Sequence, residues 1–327
     1  MRTKITKGII HKVGAGLAEV RKHRWRFSIG SIIKNLSNIE IDRPIFIVGT
    51  QGGGLTLVSR MLQRNCSLVT VTGDCSYWTG HDEMHNVLHS TLPRSLCLAG
   101  RDELERFGGT TSWTYASDQL IDAFKEEASS VSAKDSIQFK NAIRRILYIF
   151  GAVDKTTRFL DKSQSYILKI PYIEKILAKN QPKFLIISRN PYASCQRAIE
   201  KSGVSRLSVT KEEKTKMAVE HWGNSMRYGI ESKKDMSNVK TFKIEEIISD
   251  TKKVLKDICN YLGLNLKSKM IPSKRDSKPL IGLKDNKWYP LREKINEGYI
   301  NRLDAKVKKH LNKGYKEEIK ALGYEIM

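Results

Sequence analysis

Four glycines crowd into six positions, Gly49-Thr50-Gln51-Gly52-Gly53-Gly54, between the apolar run Pro44-Ile45-Phe46-Ile47-Val48 and the helical pattern Leu57, Val58, Met61, Leu62. Gly49 and Gly54 stand at the GxxxxG spacing of a phosphate-binding loop, with Thr56 at its hydroxyl position. Glycines let such a loop aim successive N–H groups at an anion, and the helix that follows adds its dipole. Leu55 occupies the place of the lysine that a triphosphate hydrolase needs, which argues against ATP or GTP hydrolysis. A second group, His81, Asp82, Glu83 and His85, concentrates titratable side chains. His81 has the natural pKa for general-base work, and Glu83 is suited to orient it or to act alone. As a metal site this group lacks a convincing further ligand elsewhere in the chain. Tyr77, Trp78, Trp113 and Tyr115 are suited to stack on a sugar or a base, or to pack in a core.

The elements that position these residues alternate between strand and helix. Pro44–Val48 and Phe184-Leu185-Ile186-Ile187 read as strands buried on both faces, and Leu68–Val71, Tyr166-Ile167-Leu168 and Val239–Phe242 as shorter ones. Helices are predicted over 57–62, 116–150, 172–179, 193–200, 211–232 and 250–262, and irregular chain over 73–115. The alternation predicts an α/β fold, a P-loop-like parallel sheet flanked by helices. Residues 1–40 form a basic N-terminal extension ahead of a domain at 41–327. Ile5, Ile9, Ile10, Val13, Leu17 and Val20 give the extension amphipathic spacing, for a membrane surface or for the domain's own core.

The 327 residues carry 58 Lys+Arg against 35 Asp+Glu, a net charge of +23, which calls for an anionic partner. No zinc-finger spacing or RNA-recognition signature is present, so nucleic acid is not the expected partner. No apolar run approaches the roughly 18–20 residues of a membrane span. The five cysteines are widely spaced and odd in number, which predicts a reducing, cytoplasmic setting, with membrane association only through residues 1–40.

Together, Pro44–Thr50 with Gly53–Leu57, the run Phe184–Pro191 ending in Ser188-Arg189-Asn190-Pro191, Asp161-Lys162-Ser163 with Tyr166, and Phe242–Ile247 continuing to Ile258–Leu264 resemble sulfotransferases that use 3′-phosphoadenosine 5′-phosphosulfate (PAPS), in their bacterial and glycan-modifying branch. The resemblance spans residues 44–264. It implies PAPS as co-substrate, no metal, and a carbohydrate or glycolipid hydroxyl as acceptor. It implies that Gln51, Gly52, Gly53, Gly54, Leu55 and Thr56 hold the 5′-phosphosulfate, and that Arg189, helped by Ser194 or Arg197, holds the 3′-phosphate. Lys162 becomes the cation for the transferred group, with Lys169 in reserve, and Asp74 joins Glu83 and His81 as base candidates. The chain departs from the family pattern at three places. Gly52 replaces a basic loop residue, Arg197 stands where a serine is usual, and Gln164 replaces a proline. The competing reading is a non-catalytic basic protein that binds nucleotide, nucleic acid or an anionic membrane.

Overall fold

The computed structural model describes residues 35–65, 67–73, 82–105, 114–151, 157–272, 291 and 293–327. Five parallel strands form one sheet: β1 Ile45–Gly49, β2 Leu68–Val69, β3 Arg158–Asp161, β4 Lys183–Ser188 and β5 Val239–Lys243, in the order β2-β3-β1-β4-β5. The longer helices are α1 Leu55–Gln63, α2 Ala133–Phe150, α3 Ile170–Leu177, α4 Pro191–Lys201, α5 Lys211–Asp235, α6 Ile244–Ser249, α7 Thr251–Leu262, α8 Ala305–Gly314 and α9 Lys316–Ala321.

Strand periodicity divides the core in two. Phe46, Val48, Phe184 and Ile186 point to one face, where they meet Phe139 and Ile143 of α2 and Trp222 of α5. Ile45, Ile47, Leu185 and Ile187 point to the other, against α1 and α7. With both faces covered, β1 needs apolar residues at every position, which is why it reads as an unbroken run. Phe46 stacks on Phe184 with ring centroids 5.4 Å apart, locking the two central strands in register.

The chain leaves β1 toward β2 on one side of the sheet, and β4 pairs on the other side of β1. A crevice opens at such a reversal, at the carboxyl ends of the strands. The glycine loop follows β1, Lys162 follows β3 and Arg189 follows β4. Three of the chemically suggestive segments are thus delivered to one rim by strand order alone.

Two predicted elements are corrected. The helix expected over 116–150 is continuous only from Ala133. Upstream, Ala116 N and O and Asp118 N bond to His221, Asn224 and Glu220 of α5, and Glu126 N donates to Leu168 O. Those groups are therefore lost to a helical ladder, and α2 starts where the Ser132 hydroxyl accepts from Asp135 N at 3.0 Å. The strand expected at Tyr166-Ile167-Leu168 is a 3-10 turn within Gln164–Leu168, with Tyr166 N donating to Ser163 O. Its apolar residues are buried as a turn. The strand of this region is β3, which sequence reading missed because Arg158 and Asp161 make its ends look polar. Both charges are consumed by backbone: Arg158 donates to Arg43 O and Leu262 O, and Asp161 accepts from Met84 N and Ser163 N. Among the described residues no helix is long and apolar enough to cross a membrane. Most of the amphipathic stretch predicted for residues 1–40 lies outside the described residues, which begin at Asn35.

Candidate active site

The glycine loop is built to present backbone. Gly53 N donates to Thr50 O at 3.0 Å, and Gly54 O accepts from Leu57 N and Val58 N to start α1. Leu55 sends its side chain into the core, so only its amide serves the rim. The amides of Leu55 and Thr56 lie in the first turn, where the helix offers no acceptor. Gln51 Oε1 accepts from Gly203 N, tying the loop to the chain beyond α4. Gly54 has φ 98°, and a Cβ there would stand 2.4 Å from Ile244 Cδ1 at the start of α6. Gly54→Ala should therefore lower the unfolding free energy by about 1–3 kcal/mol in urea titration; an unchanged midpoint would show that this backbone is not fixed by α6.

Two guanidinium groups converge on Gly52. Arg189, 7% exposed, donates from Nη1 to Gly52 O at 3.0 Å, from Nη2 to Ile295 O at 2.6 Å and from Nε to Asn296 Oδ1 at 2.8 Å. Burial and the neighbouring Arg197 charge both lower its pKa. Arg197 fills the side-chain space of Gly52: a Cβ on that glycine would be 2.2 Å from Arg197 Nη1. The Asn190 side chain caps α4 by accepting from Ala193 N, and Pro191 takes the first helical turn, so the segment after β4 is rigid. Glu245 braces it from β5's side. It accepts from Asn190 N, Asn296 Nδ2 and the Tyr324 hydroxyl at 2.8, 2.6 and 3.1 Å. Among the described residues, Ser194 Oγ, His221 Nε2 and Trp222 Nε1 are buried without hydrogen-bond partners. They border a cavity of about 20 Å³ beneath Thr50 and Gln51.

The acid–base cluster forms at the end of β3. By accepting from Met84 N at 2.9 Å, Asp161 draws the Asp82–His85 strip onto the strand end. Lys162, 2% exposed, reaches Asp82 Oδ1 at 2.8 Å and Glu83 Oε1 at 3.1 Å, which rules out a solvated loop lysine. The buried His85 ring bridges Glu83 Oε2 at 3.0 Å and Ser165 Oγ at 2.6 Å. Burial alone would raise the Glu83 carboxyl, but the Lys162 charge and the His85 contact bring it down to about 2. Burial opposes the charge of Lys162, and its two carboxylates more than offset this, so its pKa rises. Tyr115 joins the cluster to the loop: its hydroxyl lies 3.5 Å from Gly49 O, and its own pKa is raised by burial and by the Glu83 charge. The reserve cation Lys169 is turned to Ser95 O and the Phe124 ring. Burial, then the Arg101 charge, lowers it to about 7.

The structure thus brings Lys162 together with Glu83, and Gly52 together with Arg189 and Arg197. Asp74 and His81 lie outside the described residues, as do Tyr77, Trp78 and Trp113. Sequence reading missed His221, Asn296 and Glu245 as parts of this rim. His221 packs edge-on to Tyr115 at 4.6 Å, accepts from Ala116 N, and is kept neutral by burial, with a pKa of about 3. A signal for it existed: Glu220, His221 and Asn224 place polar groups on adjoining positions of a helix that must also bury Trp222.

A parallel α/β sheet with a glycine loop after its first strand and two guanidiniums meeting on that loop defines a class of group-transfer proteins. The model of the sulfotransferase family matches residues 44–268, and the chain belongs to that family. Among solved structures, the sulfotransferase STF9 from Mycobacterium avium matches with a TM-score of 0.51, covering 94% of this chain and 82% of its own, at 12% identity. At that identity the likeness speaks for the fold. The sulfotransferase domain from the Synechococcus PCC 7002 olefin synthase matches with a TM-score of 0.48 at 14% identity, over 89% of this chain and 98% of that one. No curated protein matches the sequence.

Proposed function

We propose that this sulfotransferase moves the sulfonyl group of PAPS to a hydroxyl of a carbohydrate-type acceptor. The observation that carries the donor half is the meeting of Arg189 and Arg197 on Gly52, inside a glycine loop that leads into the first turn of α1. Two apposed guanidiniums repel each other, and a bound phosphate relieves that cost. The acceptor half rests on the likeness of Asp161-Lys162-Ser163 to the glycan-modifying branch and on the basic flanks, which suit an acidic acceptor or an anionic membrane face.

In the reaction, the acceptor oxygen bonds to sulfur as the S–O bond to the 5′-phosphate breaks. The electron pair stays on the phosphate oxygen, and the acceptor proton passes to a base. The loop amides fix the phosphosulfate, and Lys162 meets the transferring group. Glu83, with a pKa of about 2, is a weak base while Lys162 is paired to it. It positions Lys162, and the proton falls to Asp74 or His81. Buried thiols at Cys97, Cys195 and Cys259 fit a reducing, cytoplasmic setting.

Calorimetric titration with adenosine 3′,5′-bisphosphate tests the donor assignment. Saturable heat below millimolar ligand is the expected result. Absence of heat and of any thermal shift at millimolar ligand, together with salt-dependent binding to duplexes or anionic vesicles, would favour the non-catalytic reading.

A further inference from the structure

Resting on the donor reading above, we infer that Arg197 supplies, from helix α4, the cation that the glycine loop itself lacks, and that its partner is the 5′-phosphate of the donor rather than the 3′-phosphate.

The backbone of Gly52 has φ 79°, and the space in front of its α-carbon is already filled: a Cβ would stand 2.2 Å from Arg197 Nη1, 2.8 Å from Cζ and 3.3 Å from Nε. The guanidinium therefore occupies the volume a loop side chain would use. Glycine at 52 and arginine at 197 are two halves of one arrangement, in which the loop gives up a side chain and the facing helix fills its place.

Among the described residues, no hydrogen bond or ion pair takes up that charge. Arg197 Nη1 is buried with no hydrogen-bond partner among the described residues. A buried guanidinium nitrogen is costly unless paired, so the geometry prepares it for an anion. Arg189 is placed differently. All three of its nitrogens already donate to Gly52 O, Ile295 O and Asn296 Oδ1, and it sits at the first residue after β4. Arg197 is two helical turns further along α4, on the face that also carries Ser194 and Ala198 toward Thr50 and Gln51. Its guanidinium therefore stands in the side-chain place of loop residue 52, whereas Arg189 reaches the loop through Gly52 O. When the S–O bond breaks, its electron pair remains on the 5′-phosphate oxygen, and Arg197 is the guanidinium that stands in the side-chain place of the loop that would hold that group.

The test uses the full chain and three ligands: adenosine 3′,5′-bisphosphate, adenosine 5′-monophosphate and adenosine 3′-monophosphate. Arg197→Met keeps the aliphatic stem over Gly52 and removes the charge. It should weaken the bisphosphate and the 5′-monophosphate by the same factor, roughly 10- to 100-fold, and leave the 3′-monophosphate unchanged. Arg197→Lys should restore most of the lost 5′-ligand affinity, and thermal unfolding of both variants checks the fold. Weakening of the 3′-monophosphate with the 5′-monophosphate spared overturns the assignment while leaving the donor reading intact. Equal weakening of all three ligands, unrelieved by Arg197→Lys, also overturns it, as a structural role. Failure of the unaltered chain to bind the bisphosphate overturns both.

Discussion

Lys162→Met should cut turnover by about 10²–10³-fold and lower the unfolding free energy by about 3–5 kcal/mol, because it strands buried Asp82 and Glu83 without their cation. The two losses separate by pH. In the native chain Glu83 is ionised down to about 2, against an ordinary 4.5. Its contribution is therefore present above about pH 4.5 and fades as the pH falls toward 2. Without Lys162 the main charge that lowers it is gone, and burial pushes the carboxyl up. The variant is then penalised most where the unfolded carboxylate is ionised, and it recovers on acidification as Glu83 takes up a proton. Urea unfolding of both proteins from pH 8 to pH 4 should show the stability gap closing toward the acid end. A gap of constant size would mean that lost packing, and not a stranded charge, is the cause. Turnover should stay about 10²–10³-fold down wherever both proteins are folded, since removing one donor aimed at developing charge typically costs that much.

Arg189→Ala should cut affinity for adenosine 3′,5′-bisphosphate by roughly 10²–10³-fold, the range for deleting one partner of a buried charged contact. The same change leaves Ile295 O and Asn296 Oδ1 without their donor, so some loss of stability accompanies it. Arg189→Lys separates the effects. A lysine keeps the charge but cannot span Gly52 O, Ile295 O and Asn296 Oδ1 together. It should bind the bisphosphate with intermediate affinity and unfold almost as easily as the alanine variant. Calorimetry decides the matter: a loss smaller than threefold in Arg189→Ala would take this residue out of the donor site.

The central sheet was readable because β1 and β4 are buried on both faces and cannot hide a polar residue. The glycine loop was readable because a backbone cradle leaves a compositional trace at fixed spacing. Strand β3 was hidden by charges that its neighbours' backbone carbonyls and amides neutralise, a tertiary fact with no local mark. Within the site, Lys162 and Glu83 were each nameable, but their 3.1 Å contact joins residues 79 positions apart. Glu245 and Asn296 were unreadable for the same reason. Their role is to lock Asn190 and Arg189: Glu245 lies in the Phe242–Ile247 motif, but neither its partners nor Asn296 are marked in the chain. Two of the three departures from the family pattern, Gly52 and Arg197, looked independent in the chain and meet in space.

On the proposed function, the loop, Arg189 and Arg197 grip the phosphates of the donor, which stay on the nucleotide when the sulfonyl group leaves. Once the sulfonyl group has left, the bisphosphate keeps every one of those contacts and gains a negative charge at the broken bond. The same geometry that recruits the donor therefore retains the spent nucleotide, and on the proposed chemistry its escape, rather than bond breaking, sets the pace of the cycle. Salt that weakens capture of a fresh donor would at the same time hasten clearance of the old one, so turnover would peak at an intermediate ionic strength.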